Sequence, residues 1–210
     1  MSHIAYLEQI HESLKGKKIL DLGSGKGKFL FMCREAGYDA VGVELSAEKI
    51  KATQAIAREK GVAVSVIQGE AEHISFKEDS FDFINASELI EHVQNPAQVL
   101  SEMQRILRPG GTAYVSAHNR FGLYDTHFRI FFLGWMPRAW TDAYLKLFQK
   151  HKRYENAPDR WRITEMHYFT FREFTRLARR AGFEVVDGRE LKIKNDIVRY
   201  RAFYIVRYMR

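Results

Sequence analysis

Apolar residues recur along this chain in two alternating rhythms. Ile4, Leu7, Ile10 and Leu14 fall on one face of a short amphipathic helix over residues 3–14. KILDLG (18–23) is then a continuous apolar run closed by glycine, the pattern of a strand buried on both faces. A helix follows over about 26–36 and stops at Gly37. AVGVEL (40–45) is a second buried strand, after which Ser46 caps a helix that runs to Lys60 and stops at Gly61. VAVSVI (62–67) and FDFINA (81–86) are the third and fourth strands. A helix spans Pro96 to Leu107, and Arg108-Pro109-Gly110-Gly111 turns the chain into a fifth strand, TAYVSAH (112–118). Strands alternating with helices predict right-handed crossovers and a parallel sheet covered on both faces.

The alternation stops at His118. Residues 119–166 hold no convincing strand but carry aromatic and basic side chains at near-helical spacing, as in FRIFFLGWMPRAW (128–140) and TDAYLKLFQKHKRY (141–154). A structureless loop of that length is rare, so the segment is expected to fold as a helical cover within a single domain spanning residues 1–210. Phe171 to Ala181 is again a helix, and FEVVDGREL and VRYRAFYIVRY form a closing pair of strands.

Composition narrows the setting. One cysteine, Cys33, excludes an internal disulfide and fits a reducing, cytoplasmic compartment. No run of about 18 uncharged apolar residues is present, and the N-terminus lacks the layout of a secretory signal. The formal charge of +7 is compatible with an anionic small molecule, nucleic acid, an anionic membrane, or simply a solvated basic surface.

The chemistry concentrates at ILDLGSGKGKFL (19–30), where Gly23, Gly25 and Gly27 follow a strand and open a helix. Residues without a Cβ let backbone pass close to a ligand there. The spacing is G-x-G-x-G, not the G-x-G-x-x-G of dinucleotide sites, and no phosphate-binding loop is present. Such a turn suits a ligand without phosphate. Glu44, about 20 residues on at the end of the second strand, is placed to accept both hydroxyls of a ribose. Gly69-Glu70-Ala71-Glu72 ends the third strand and offers acids to an adenine amino group; Asn85-Ala86-Ser87 ends the fourth. All four lie at the carboxyl ends of strands, where open α/β sheets bind ligands.

LDLGSGKGKFL, VGVELS, GEAEHISFKEDSFDFINASELIEHV and RILRPGGTAYVS resemble, in order, the motifs of class I S-adenosylmethionine-dependent methyltransferases, in particular the ubiquinone-biosynthesis-like branch. The likeness is dense over about 17–117 and returns at MHYFTFREFTRLARRAGFEVV (166–186). It implies an α/β, Rossmann-like seven-stranded sheet of order 3-2-1-4-5-7-6 with the last strand antiparallel, helices on both faces and an insertion after strand five. It also implies S-adenosylmethionine as cofactor and S-adenosylhomocysteine as product. Gly23, Ser24, Gly25 and Gly27 would then run along the cofactor's amino acid and ribose, with Glu44 on the ribose. Glu70 and Ala71 would contact adenine, and Ala86 and Ser87 would lie beside the sulfonium. Asp21, Leu45 and Glu72 complete the candidate cofactor-binding set.

Methyl transfer to a hydroxyl needs a nearby proton acceptor, and histidine suits that role near neutral pH. His118, just past the fifth strand, is the leading candidate; His127 and His167 could line an acceptor pocket. On a helical turn Glu88, Glu91 and His92 share a face, and Glu88-x-x-Glu91-His92 resembles a metal-bearing pattern of ubiquinone-type and small-RNA 2′-O-methyltransferases. The same letters occur in relatives without metal, so no metal is assigned, and these side chains are expected to shape the pocket. The apolar residues of 128–140, interleaved with Arg129 and Arg138, fit packing onto the core, a greasy acceptor pocket, or a surface dipping into a bilayer. The expected acceptor is a small or lipid-linked metabolite that undergoes O-methylation. RNA 2′-O-methylation and a non-catalytic binding module are the alternatives.

Overall fold

The computed structural model describes residues 14–125, 128–147, 165–187 and 202–208. The helix expected over 3–14 therefore lies outside the described residues except for Leu14. Seven strands form one sheet: β1 (Ile19–Leu22), β2 (Ala40–Glu44), β3 (Ser65–Gln68), β4 (Phe81–Ser87), β5 (Leu107–Ala117), β8 (Phe183–Asp187) and β9 (Ala202–Tyr208). Their order is β3-β2-β1-β4-β5-β9-β8. The first five are mutually parallel, and β9 runs antiparallel to both β5 and β8. Helices α1 (Lys28–Glu35), α2 (Ala47–Lys60), α3 (Pro96–Ile106) and α5 (Phe171–Arg180) join the main strands.

Each crossover starts and stops on local chemistry. The Ser46 side chain accepts from the backbone N–H of Lys49 to cap α2, and left-handed Gly61 ends it. Asn95 does the same for α3, with Pro96 in the first turn. Thr170 and Glu173 form a reciprocal capping box at α5. Strand alternation then sorts side chains into two layers. Leu20, Leu22, Ile84, Ala113 and Val115 pack with Val99, Leu100 and Met103 of α3 and Phe174 of α5. Ile19, Phe83 and Tyr114 point to the other face, against Leu14 and α1's Phe29 and Cys33.

Three expectations need correcting. The Arg108–Gly111 turn is not outside the fifth strand. β5 begins at Leu107, and the turn is an irregularity within its pairing, where β4 advances from Phe81 to Phe83 while β5 advances from Leu107 to Thr112. The first crossover helix begins at Lys28 because Gly27 sits at φ 75°, outside helical geometry. The insertion does contain strands: β6 (Tyr124–Asp125) and β7 (Ile130–Phe131) form a small antiparallel hairpin, followed by a 3-10 turn (Leu133–Trp135) and α4 (Arg138–Leu147). Period-based reading misses two-residue strands.

The insertion has its own small core of Phe128, Ile130, Leu133, Leu145, Met166 and Tyr168. Part of its apolar character is thus packing. The rest is not: Phe131, Phe132, Trp135 and Trp140 are each more than half exposed, at 60%, 54%, 56% and 67%.

Candidate active site

The sheet's carboxyl edge is shaped first by the glycine turn. Gly23, Gly25 and Gly27 all have positive φ, at 73°, 56° and 75°, a region costly for residues with a Cβ. The three face different neighbours. A Cβ on Gly23 would lie 2.9 Å from Leu89 Cδ1, and one on Gly27 would lie 2.6 Å from Thr53 Cγ2. At Gly25 it would meet nothing within 4 Å. Gly25 therefore forms the open cradle, while Gly27 lets α2 approach. The backbone N–H groups of Gly23 and Ser24 donate to Val43 O, and Thr53 Oγ1 donates to Gly25 O, tying the turn to β2 and α2.

Glu44 is the hinge of this arrangement. Its Oε2 accepts from the Gly25 N–H at 2.8 Å and its Oε1 from the Ser46 N–H at 2.9 Å, with the side chain buried. The carboxylate fixes the turn and the start of α2 together, and each oxygen keeps a lone pair for a ligand hydroxyl. At the end of β3 the Gly69 N–H donates to Glu44 O. Glu72 Oε1 accepts from the Gln94 N–H at 2.8 Å, so the turn after β3 is tied to the loop that caps α3.

These elements enclose a cleft of about 1440 Å³, ample for a nucleoside with an amino acid tail plus an acceptor. Of the predicted cofactor residues, Gly23, Gly25, Glu44, Leu45, Glu70, Ala71, Glu72 and Ser87 line it. Asp21, Ser24, Gly27 and Ala86 do not; they stand behind the wall and support it. Ser46, Lys49, Leu89, Gln94 and Gln98 also line it, none of them marked as a site residue by the sequence, and Arg129, noted there only as a basic residue of the insertion, joins them. The Asn95-Pro96 cap signal marks where the loop carrying Gln94 must turn; nothing in the pattern brings Arg129 of the insertion to this wall.

Beneath the cradle, Asp21 and Asn85 are register partners on β1 and β4, and Asn85 Nδ2 donates to Asp21 Oδ1 at 2.6 Å. Burial pushes the Asp21 carboxyl up to about 7; the Asn85 hydrogen bond opposes the rise and the charge of Glu44 adds to it. Burial, with a smaller effect from Asp21, pushes the Cys33 thiol up to about 12.

Glu88, Glu91 and His92 do not share a helical face. Residues 88–93 form turns and bends, with Glu88 at φ 55°, and among the described residues no three acidic, histidine or cysteine side chains gather in a metal-holding group. Glu88 and His92 line the cleft. Glu91 is fully buried, and its Oε1 lies 3.2 Å from Nδ1 of His118, itself 5% exposed. The His118 ring packs at 5.3 Å from Tyr168, whose hydroxyl donates to buried Asp125 of β6. His118 thus sits behind the cleft wall, not on it. His167 is half-buried; its N–H donates to Glu91 O and its ring stacks on Phe169. His127 lies outside the described residues. The Phe169 N–H donates to His118 O and the Arg120 N–H to Phe169 O, so both ends of the insertion are stitched side by side.

This geometry meets its counterparts among known proteins. The profile of the methyltransferase domain family matches residues 3–187. The ubiquinone biosynthesis O-methyltransferase of Methylococcus capsulatus is 36% identical over 113 residues, 53% of this chain and 48% of its own length. That of Pectobacterium carotovorum is 33% identical over 118 residues, 56% and 49% of the two chains. The chain spans about half the length of the curated relatives it matches. An S-adenosylmethionine-dependent methyltransferase from Methanosarcina mazei shares the fold at a TM-score of 0.66 and 22% identity, covering 100% of this chain and 98% of that one. Phosphoethanolamine N-methyltransferase 2 of Haemonchus contortus, solved with S-adenosylmethionine, does so at 0.68 and 16%, covering 99% and 52%. The chain belongs to the methyltransferase domain family and has the class I sheet order. The open cradle at Gly25 beside the Glu44 carboxylate fits S-adenosylmethionine as its cofactor.

Proposed function

We propose that the enzyme methylates a hydroxyl on a lipid-linked or otherwise apolar acceptor bearing negative charge, met at the inner, cytoplasmic face of a membrane. One observation carries this reading: the insertion whose Arg129 lines the cleft also carries a cluster of exposed aromatic side chains. Phe121 and Trp135 meet edge to face at 5.2 Å, Tyr124 and Phe131 at 4.8 Å, and Phe131 and Phe132 at 6.4 Å. Arg129, two residues before Phe131, lines the cleft itself. Both Arg129 and Phe132 hold left-handed backbone, at φ 56° and 59°, strain that persists only where the surroundings enforce it. Aromatic rings beside arginine suit the interface between acyl chains and anionic headgroups. No helix of the described residues is long and apolar enough to cross a bilayer. The names of the relatives, ubiquinone biosynthesis O-methyltransferases, agree with a hydroxyl acceptor of this type.

When bound, S-adenosylmethionine supplies an electrophilic methyl. The chain's own task is to hold the acceptor oxygen in line with that methyl and to exclude water. The Gly25 cradle and Glu44 orient the nucleoside end, and Glu70, Ala71 and Glu72 border the adenine end. Arg129 engages the acceptor's negative charge. His118, its Nδ1 held by Glu91 and its ring behind the cleft wall, takes the hydroxyl proton through a relay.

The test is label transfer from methyl-labelled cofactor into total lipid extract, water-soluble metabolites and RNA in parallel, with vesicle flotation on phosphatidylglycerol and phosphatidylcholine. The expected outcome is label in the organic phase and flotation on anionic vesicles that the triple variant F131S/F132S/W135S abolishes. Turnover on a water-soluble acceptor without acyl or isoprenoid parts, or label confined to RNA with steeply salt-dependent binding, overturns the reading. For the proton acceptor, H118A should lose turnover while cofactor affinity stays; loss confined to H92A would transfer the role to His92.

A further inference from the structure

Asp21 has no counterpart in the steps above. It lies directly under the glycine cradle, buried at 3% exposure, with Asn85 Nδ2 on one oxygen. The groups facing it are Glu44 from β2, Asn85 from β4 and Cys33 from α1. None of these is a cation. The arrangement therefore presents a second carboxyl group beside the Glu44 carboxylate with no positive charge among the described residues to balance it, and burial raises its proton affinity accordingly. Asn85 accommodates either state of the acid. Its amide N–H donates to the carboxylate, and its buried Oδ1 has no hydrogen-bond partner, so the amide turned over would accept from the acid O–H.

A cationic ligand entering the cradle changes this balance. S-adenosylmethionine brings a sulfonium charge; the product, a thioether, has lost it together with the transferred methyl group, and the two are otherwise alike. We propose that Asp21 senses the cofactor's charge: loading of the cation expels a proton from Asp21, and the neutral product lets the proton return, so that preference for cofactor over product widens as pH rises. The proposal rests on the cleft being the cofactor site. Its charge balance closes over the cycle. The acceptor hydroxyl loses one proton when its oxygen gains the methyl, and Asp21 regains one when the sulfonium becomes a thioether. The proton of turnover then leaves the enzyme at cofactor loading.

The experiment is isothermal titration of the full chain with S-adenosylmethionine, S-adenosylhomocysteine and the analogue carrying a protonatable amine in place of the sulfonium. It is run from pH 5 to 8 in pairs of buffers with different ionisation enthalpies. Expected is release of up to one proton per bound cation below pH 7, and none for the thioether. The affinity ratio of cation to thioether should grow by about tenfold per pH unit toward pH 7 and flatten above it. D21N should fold, bind both nucleosides and give a pH-independent ratio. Equal proton counts for cation and thioether overturn the proposal. So does a slope that survives in D21N, which would belong to His73 or His92 on the same cleft wall. Were D21N not to fold, the wild-type proton counts decide by themselves. Absence of binding by any of the three removes the cofactor site, and this proposal with it.

Discussion

Replacing Glu44 with alanine tests the cradle most directly. The substitution removes the acceptor of two backbone N–H groups, those of Gly25 and Ser46, at 2.8 and 2.9 Å. Hydrogen bonds to a charged group contribute about 1.5–3 kcal/mol each. Both donors border the cleft, where water can replace part of the loss, so we take about 2–4 kcal/mol for the pair. In a domain of this size that lowers the melting temperature by roughly 5–15 °C. Loss of the acceptor for the ribose hydroxyls should also weaken nucleoside binding by about 10- to 100-fold. E44Q keeps one acceptor oxygen but turns an amide N–H toward a backbone N–H, and should fall between. Thermal melts with and without S-adenosylmethionine, plus titration calorimetry, give both numbers. If E44A melts within a degree of the native protein and binds the nucleoside equally well, the cradle is not where we have put it.

Further outcomes follow from the same geometry. G27A should cost about 2–5 kcal/mol, because it adds a left-handed alanine and a Cβ 2.6 Å from Thr53 Cγ2. G37A, at φ 78° with open space, should cost about 1 kcal/mol, and T53A should rescue only the former in a double-mutant cycle of denaturant melts. Protonated Asp21 contributes stability that is complete below its ordinary value of 3.8 and lost as pH rises through about 7. D21N should therefore gain on the native protein by up to about 4 kcal/mol between pH 4 and 7 in urea titrations of the ligand-free protein. Glu102, hydrogen-bonded by Arg105, and Glu173, held by the Thr170 N–H, lie below the carboxylate range; they act oppositely, stabilising at neutral pH and failing on acidification. Cys33, buried with its thiol raised to about 12, should resist iodoacetamide in the native state and react only on unfolding. Rapid native alkylation would contradict its burial.

The repeating part of the fold was legible because most of its elements carry their own signal: apolar runs, the Ser46 cap, and glycine stops. The glycine turn and Glu44 were legible for a similar reason, since left-handed backbone at a strand end favours glycine, and Glu44 stands at the matching end of the next strand. What escaped depends on distant packing. Nothing local tells that Gly27 serves α2 while Gly25 faces the ligand, or that Asp21 and Asn85, 64 residues apart, share a hydrogen bond. His118 reads as an exposed strand-end base, yet the returning chain at Tyr168 covers it. The E-x-x-E-H spacing suggests one helical face, but the turn geometry at Glu88 separates the three side chains and sends Glu91 inward.

The stitching of Arg120 to Phe169 and of Phe169 to His118 has an evolutionary corollary. The chain departs from the sheet and rejoins it at nearly the same point, so whatever lies between is a detachable cassette. Doubling its length would add only about 0.6 kcal/mol of closure entropy. The frame that holds the nucleoside can therefore stay constant while the cassette is rewritten, and grafting a foreign segment between those two junctions is a direct route to a new acceptor range.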